Sequence, residues 1–311
     1  MSPKTALGVI AFVAVGGFVM VAGNEATYVR TFVPEKEEAT LVFGGDMMFD
    51  RSIREWGVDR GEDYLFSCVR DVLDKADLVV ANLEGPITTR KSVSVGSSPG
   101  GPNNTRFTFP TTTATLLAQN GIDIVSIANN HAQDFGREGI ESTISFLDAA
   151  GVAYFGDPLE ERVFTTLVNG VPLAFIGYNE FQRLVGDLWQ GSMKTVEHIR
   201  AAKADGYLPI VFSHWGSEYV GANAQQKRLA RSFVEAGAEL VVGAHPHVVQ
   251  EHEEYLGKHI YYSIGNFVFD QYFSEDVRNG LILRASFTKR GVENLEEIPA
   301  YLERDRRVCI Q

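Results

Sequence analysis

The chain has 311 residues, 28 Lys plus Arg against 40 Asp plus Glu, and a net charge of −12. With 45% hydrophobic and 22% charged residues, it is a globular chain and not a disordered, collagen-like or polytopic membrane one. The acidic balance excludes wrapping of bare nucleic acid, because no basic surplus is present to displace counterions. An anionic partner would need a metal ion or a local arginine cluster. The two cysteines, Cys68 and Cys309, form neither a zinc motif nor a CxxC pair, and they read as unrelated thiols.

After Lys4, residues Thr5–Asn24 carry no charge, and Ala6–Ala22 is almost wholly apolar. As a helix those seventeen residues would span roughly 25 Å, slightly short of the hydrocarbon core, with Thr5, Gly23 and Asn24 extending it. Residues 1–24 therefore read as a signal-anchor, or as a signal peptide cleaved near Gly23. Either places the rest outside the cytoplasm: at the cell membrane through a single pass, or secreted. Residues 25–39 read as a polar tether.

From residue 40 onward the pattern alternates strand and helix. Strands are predicted over Thr40–Gly45, Asp77–Leu83, Ile122–Ala128, Tyr207–Ser213, Glu239–Gly243, His259–Ile264 and Gly280–Phe287. Helices are predicted over Tyr64–Ala76, Thr111–Asn120, Gly136–Ala150, Met193–Ala204 and Ala224–Ala236. Val163–Val168 and Val171–Tyr178 flank Asn169-Gly170, a hairpin signal. Lys91–Asn104 is a Ser/Gly/Pro/Asn loop. The alternation argues an α/β domain over 40–290 with mixed sheets, and a charged, peripheral tail over 291–311.

Polar residues gather where strands end, which is where α/β proteins bind ligands. Asp46 follows the first strand, Asn82 and Glu84 the second, and Asn129-Asn130-His131 the third. His214 and Glu218 follow Tyr207–Ser213, and His245-Pro246-His247 follows Glu239–Gly243. Four of the seven histidines fall at three of these ends. Taken singly, each is as well read as a cap, a turn or a core histidine; the joint pattern points to a site. Two histidines at alternate positions of an extended chain can bring two imidazoles toward neighbouring ions. Carboxylates, imidazoles and an amide oxygen suit Mn, Fe or Zn, as one ion or two. Such ions bind a phosphate-like anion and activate water. Arg51, Arg54, Arg90, Lys91 and Arg106 lie in the loops near the first strand ends, where they could meet an anionic chain.

The ordered stretches Gly45-Asp46-Met47-Met48, Ala81-Asn82-Leu83-Glu84-Gly85-Pro86, Ser126–His131, Ser213–Tyr219, Gly243–Gln250 and Tyr262–Phe269 resemble the calcineurin-like metallophosphoesterase superfamily. More narrowly, they resemble its CapA branch, the poly-γ-glutamate capsule biosynthesis proteins. The resemblance covers roughly residues 40–285. It implies a four-layer αββα sandwich of two mixed β-sheets with a metal site at one edge. Asp46, Glu84, Asn130, His214, His245 and His247 would be metal ligands, and His131 a proton-donating acid. Asn82, Arg106 and Glu218 are candidates to contact substrate. Met48 replaces the superfamily's usual His, and Asn82-Leu83-Glu84 replaces its Gly-Asp.

Three functions are compatible with these residues. One is a membrane-anchored component of capsule polymer synthesis or export, acting beside other subunits. Another is an extracytoplasmic metal-dependent phosphoesterase. The third is a non-catalytic scaffold of the same fold.

Overall fold

In a computed structural model, the structure describes residues 37–60, 64–182 and 188–311, together with three short N-terminal strands. The chain divides into two compact units, Met1–Glu37 and Glu38–Gln311. In the first, β1 (Val13–Ala14), β2 (Gly17–Ala22) and β3 (Glu25–Val29) pair antiparallel in that order. Most of the first half of the expected membrane segment lies outside the described residues; the described part of 6–22 is in β1 and β2. Among the described residues no helix is long and apolar enough to cross a membrane.

The second unit begins with β4 (Ala39–Met47), α1 (Arg51–Arg60), α2 (Arg70–Leu73), β5 (Leu78–Leu83), α3 (Thr113–Gln119), β6 (Ile124–Ser126), α4 (Gly136–Ala150) and β7 (Ala153–Phe155). It continues through β8 (Phe164–Val168), β9 (Val171–Asn179), α5 (Leu188–Ala204), β10 (Leu208–His214), α6 (Ala224–Ala236), β11 (Leu240–Ala244), β12 (His252–Tyr255) and β13 (Lys258–Tyr261). It closes with β14 (Asn266–Val268), α7 (Glu275–Arg278), β15 (Asn279–Thr288), β16 (Gly291–Leu302) and β17 (Val308–Ile310).

One sheet runs β17-β16-β15-β4-β5-β6-β7, with β14 pairing β4; the other runs β12-β13-β11-β10-β9-β8. Both are mixed. The strands joined through helices are parallel, while β8–β9 and β15–β16 are hairpins and antiparallel. The sheets face each other across an apolar layer. Leu41, Phe43, Val80, Ile124 and Leu283 come from the larger sheet; Phe175, Ile210, Phe212 and Val242 come from the smaller. The other face of the larger sheet, with Val42, Val79 and Ala81, packs on Leu116 and Leu117 of α3 and Leu147 of α4. The outer face of the smaller sheet, with Ile176, Val211 and Val241, packs on Ile199 of α5 and Phe233 of α6. The result is the four-layer αββα sandwich that the family resemblance implies. Phe212→Ala would remove an aromatic ring from the central layer at a cost of about 3–5 kcal/mol.

Helix ends follow local chemistry. Asn223 caps α6 by accepting from the N–H groups of Gln225 and Gln226, and the Gln226 side chain returns the bond to the Asn223 N–H. Gly45 has a positional reason: a Cβ there would sit 1.8 Å from the Gly265 carbonyl oxygen. That close approach lets β14 lie against the end of β4, where the Asp46 N–H donates to Gly265 O at 3.1 Å.

Three expectations change. Residues 291–311 are not a peripheral tail, since β16 pairs along the whole of β15 and β17 pairs with β16. The charges of β16, Glu293, Glu296 and Glu297, lie at exposed positions, while its Ile298, Ala300 and Leu302 are buried in the core. Cys68 and Cys309 are not unrelated thiols. They form a disulfide with Cα atoms 4.7 Å apart, tying the chain just before α2 to β17 across 241 residues of sequence. The predicted helix over 64–76 contracts to turns and the four residues of α2.

Candidate metal centre

The ends of β4, β5 and β6 in one sheet meet the ends of β10 and β11 in the other. Asp46 is fully buried at the end of β4. Its Oδ1 accepts from Asn82 Nδ2 at 2.7 Å, and its Oδ2 accepts from the His245 N–H at 3.0 Å. His247 Nδ1 lies 3.4 Å from Asp46 Oδ2, and His214 Nδ1 lies 3.9 Å from Oδ1. Burial by itself raises the Asp46 pKa. The His247 and His214 imidazoles and the His245 N–H outweigh it and hold the carboxyl well below its usual range.

Glu84 is fully buried beside this group, with its Oε1 3.7 Å from His247 Nε2. Neither Glu84 oxygen has a hydrogen-bond partner. Burial, reinforced by the Asp46 charge, pushes its pKa well above the usual carboxylate value, with Arg51 opposing. Asp46, Glu84 and His247 each offer a ligand atom within 4.8 Å of the others.

The remaining predicted ligands stand around that triad. His214 Nε2 and Asn130 Oδ1 are 2.8 Å apart. The His214 and His245 ring centroids are 4.8 Å apart, and those of His245 and His247 6.0 Å. Burial, then His245, holds the His214 pKa well below the usual imidazole value; burial, then His247, brings His245 down to about 3. Both are therefore neutral and able to ligate at ordinary pH. The His245 Nδ1 is buried without a partner.

The His245-Pro246-His247 segment is not extended, as its spacing suggested. His245 and His247 have φ of 92° and 56°, the left-handed region that side-chain-bearing residues rarely adopt. Such strain persists where surrounding contacts over-determine it. His247 Nδ1 is held 2.9 Å from Asn266 Oδ1, and Phe181 packs 4.3 Å from the His245 ring.

Met48 stands where the superfamily carries an imidazole. It is fully buried within the helix-side core, and its Sδ accepts from the Asp50 N–H at 3.0 Å. It leaves the ligand set to the other residues.

His131 sits at the rim. Its Nε2 is 3.9 Å from Glu84 Oε1, its Nδ1 is 3.0 Å from Asp134 Oδ2, and its ring lies on Phe107 at 4.3 Å. Asp134 Oδ2 also accepts from the Phe107 N–H. A cleft of 450 Å³ opens above Glu84, and its lining includes Arg51, His131, Glu218, Tyr219 and Phe269. Of the residues proposed to contact substrate, Glu218 lines this cleft. Asn82 is fully buried and bonded to Asp46 and Asn129. Arg106 is exposed, donates to Asp134 O at 2.9 Å and lies over Phe135.

The sequence reading assigned no role to Asn129, Asp134, Asn266 or Phe181. Asn129 Nδ2 reaches Asn82 Oδ1 and Leu83 O, bracing two strand ends. The signal for Asn266 was present, since it is another amide immediately after a Gly at a strand end.

The donor set fits a divalent cation. Two carboxylates beside imidazole nitrogens are ligands that a cation would hold deprotonated, and buried polar atoms left without partners are rare unless an ion or ligand satisfies them. Glu84 Oε1 and Oε2 and His245 Nδ1 are three such atoms in one cluster.

A family model described as bacterial capsule synthesis protein PGA_cap matches residues 40–271. The PGA biosynthesis protein CapA of Bacillus subtilis is 29% identical over 304 residues, covering 93% of this chain and 78% of that protein. The capsule biosynthesis protein CapA of Bacillus anthracis is 28% identical, covering 86% and 69%. A probable polyglutamine synthesis accessory protein of Mycobacterium tuberculosis is 30% identical over 171 residues, covering 47% and 45%. The matched span runs from β4 through the last of the site-forming strand ends, so the chain belongs to the bacterial capsule synthesis protein family and is a CapA-like capsule biosynthesis protein.

Proposed function

We propose that this chain acts outside the cytoplasm in the synthesis or export of a poly-γ-glutamate capsule polymer, attached to the membrane through its N-terminal segment. In this reading a divalent ion, Mn, Fe or Zn, is held by Asp46, Glu84 and His247, with Asn130, His214 and His245 completing one site or a pair. The observation that carries it is Glu84, a buried carboxylate without a hydrogen bond, at the floor of an open cleft. The Cys68–Cys309 disulfide supports the compartment, because disulfides persist in oxidising surroundings.

When bound, such an ion supplies a Lewis acid and a water of lowered pKa. The protein's own residues do the rest. Asn82 fixes Asp46, and Asn266 fixes the His247 ring. Asp134 holds His131 with Nε2 toward the site, where it can give a proton to a leaving group. Arg51 lines the cleft, ion-paired with Asp270 and lying over the Phe107 and Phe269 rings, and is the group there that an anionic polymer would engage.

A second reading, an extracytoplasmic phosphoesterase, is favoured by the His131–Asp134 pair, which suits a proton donor. Elemental analysis of the full chain, with Asp46→Ala and Glu84→Gln as controls, tests the metal site. Assays of metal-loaded protein on polymer and on phosphate esters then separate the readings. Metal-free wild type with no turnover of either would leave the scaffold. Fractionation at high salt tests attachment: full-length protein should stay with the membranes, and release into the soluble phase would remove the anchor.

A further inference from the structure

Tyr219 lines the same cleft as Glu84, Arg51 and Glu218. Its backbone has φ of 63°, in the left-handed region that a side-chain-bearing residue rarely adopts. The turn is tied to the His245–His247 segment, because the Tyr219 N–H donates to Pro246 O at 2.8 Å. The ring is held on two sides. It stacks on His247 with centroids 6.0 Å apart, and it meets the Phe273 ring edge-on at 5.1 Å. Backbone strain of this kind clusters at active sites and ligand clamps.

The hydrogen bonds behind the ring run in one direction. Asn266 Nδ2 donates to Val277 O at 3.2 Å, and a carbonyl oxygen can only accept. That sets the Asn266 amide with Oδ1 toward His247 Nδ1, 2.9 Å away, so Nδ1 carries the proton and Nε2 is left bare on the Glu84 side. The same Asn266 Nδ2 donates to Gln271 Oε1 at 3.2 Å, which leaves Gln271 its Nε2 to turn toward Tyr219. Gln271 Nε2 donates to the Tyr219 hydroxyl oxygen at 3.0 Å. The phenol therefore accepts from Gln271 and keeps its own proton for an acceptor elsewhere. Glu218, its neighbour in sequence and in the cleft, is the resident acceptor within reach.

We propose that Tyr219 is a substrate-binding residue whose hydroxyl donates to an oxyanion of the ligand, a carboxylate or a phosphate, and that Gln271 is the positioning residue that aims it. This rests on the anionic substrate proposed above. A ligand oxygen entering the cleft replaces Glu218 at the phenol proton. One amide orientation, fixed at Val277 O, sets both the ligating nitrogen of His247 and the donor direction of Tyr219.

Titration calorimetry on Zn²⁺-equilibrated full-length protein tests it, with inorganic phosphate and, separately, a γ-linked glutamate oligomer. Tyr219→Phe keeps the ring on His247 and removes the donor. It should weaken the oxyanion that occupies the cleft by about ten- to a hundredfold. In Gln271→Glu, nearly the same shape, the carboxylate still accepts from Asn266 Nδ2 but also accepts from the phenol, which draws the proton out of the cleft. That variant should weaken binding as Tyr219→Phe does, leave Zn²⁺ uptake unchanged, and add nothing in the Tyr219→Phe background. A loss that adds in the double variant would be charge repulsion and would overturn the positioning role. Equal affinity of wild type and Tyr219→Phe for both probes, no binding included, would overturn the proposal. The probe that is weakened names the source of the oxyanion. Zn²⁺ uptake by the same samples reports the metal centre separately: a wild type without uptake would sink that centre and not the Tyr219 contact.

Discussion

Glu84 Oε1 lies 3.7 Å from His247 Nε2, yet neither oxygen of Glu84 accepts a hydrogen bond. The pair is close enough to share an ion and too far apart to satisfy one another. A buried carboxylate in that position costs the metal-free fold and is relieved by a cation. Glu84→Gln should therefore raise metal-free stability by about 1–3 kcal/mol while metal content falls. Denaturant unfolding after chelation, beside elemental analysis, measures both. A Glu84→Gln protein less stable than wild type without metal would contradict this account of the site.

The acid sensitivity of the metal-free protein follows from three groups. His214 and His245 stay neutral in the fold, whereas in the unfolded chain each protonates near 6.5. Their folded pKa values are depressed, so the unfolded state gains protons first and stability falls as pH drops below about 6.5. Glu84 acts in the opposite sense, because its raised folded pKa favours the fold as pH falls toward its unfolded value of 4.5. The two imidazoles and Glu84 therefore oppose one another, so the loss of stability toward acid should be steeper in Glu84→Gln than in wild type. Unfolding curves at pH 5 and pH 6 check it; a flat profile would mean that the imidazoles are not buried together.

Asn130 and His131 adjoin in sequence and should separate in effect. Asn130 Oδ1 faces His214, so Asn130→Ala should lower metal occupancy. His131→Ala should leave the metal in place. If the site is catalytic, it should slow esters with poor leaving groups by about 10²–10⁴-fold and nitrophenyl esters far less. Asp134→Asn should follow the same pattern more weakly, since Asp134 acts through His131. Equal slowing of both ester types, with metal retained, would make His131 a structural residue that packs on Phe107.

The disulfide closes a loop of 241 residues and anchors β17. Cys309→Ser should cost about 2–5 kcal/mol of stability. The protein isolated from its native host should show no free thiol until it is reduced. Titration of two thiols in the unreduced, folded protein would argue against both the bond and the oxidising compartment.

What the sequence by itself determined was local. Short apolar runs located β4, β5, β10 and β11, glycine stops bounded α4 and α6, and Asn169-Gly170 marked the β8–β9 hairpin, because each of these signals is local. The same reading put Asp46, Glu84, Asn130, His214, His245 and His247 at strand ends, and ordered motifs pointed to their convergence. Only the tertiary structure decided how they meet. The left-handed turns at His245 and His247, the bracing by Asn129 and Asn266, and the turn of Met48 into the core depend on partners far along the chain. The Cys68–Cys309 bond and the last two strands were illegible for the same reason. A thiol carries no mark of a partner 241 residues away, and a charged strand such as β16 looks like a tail until a neighbour covers one face.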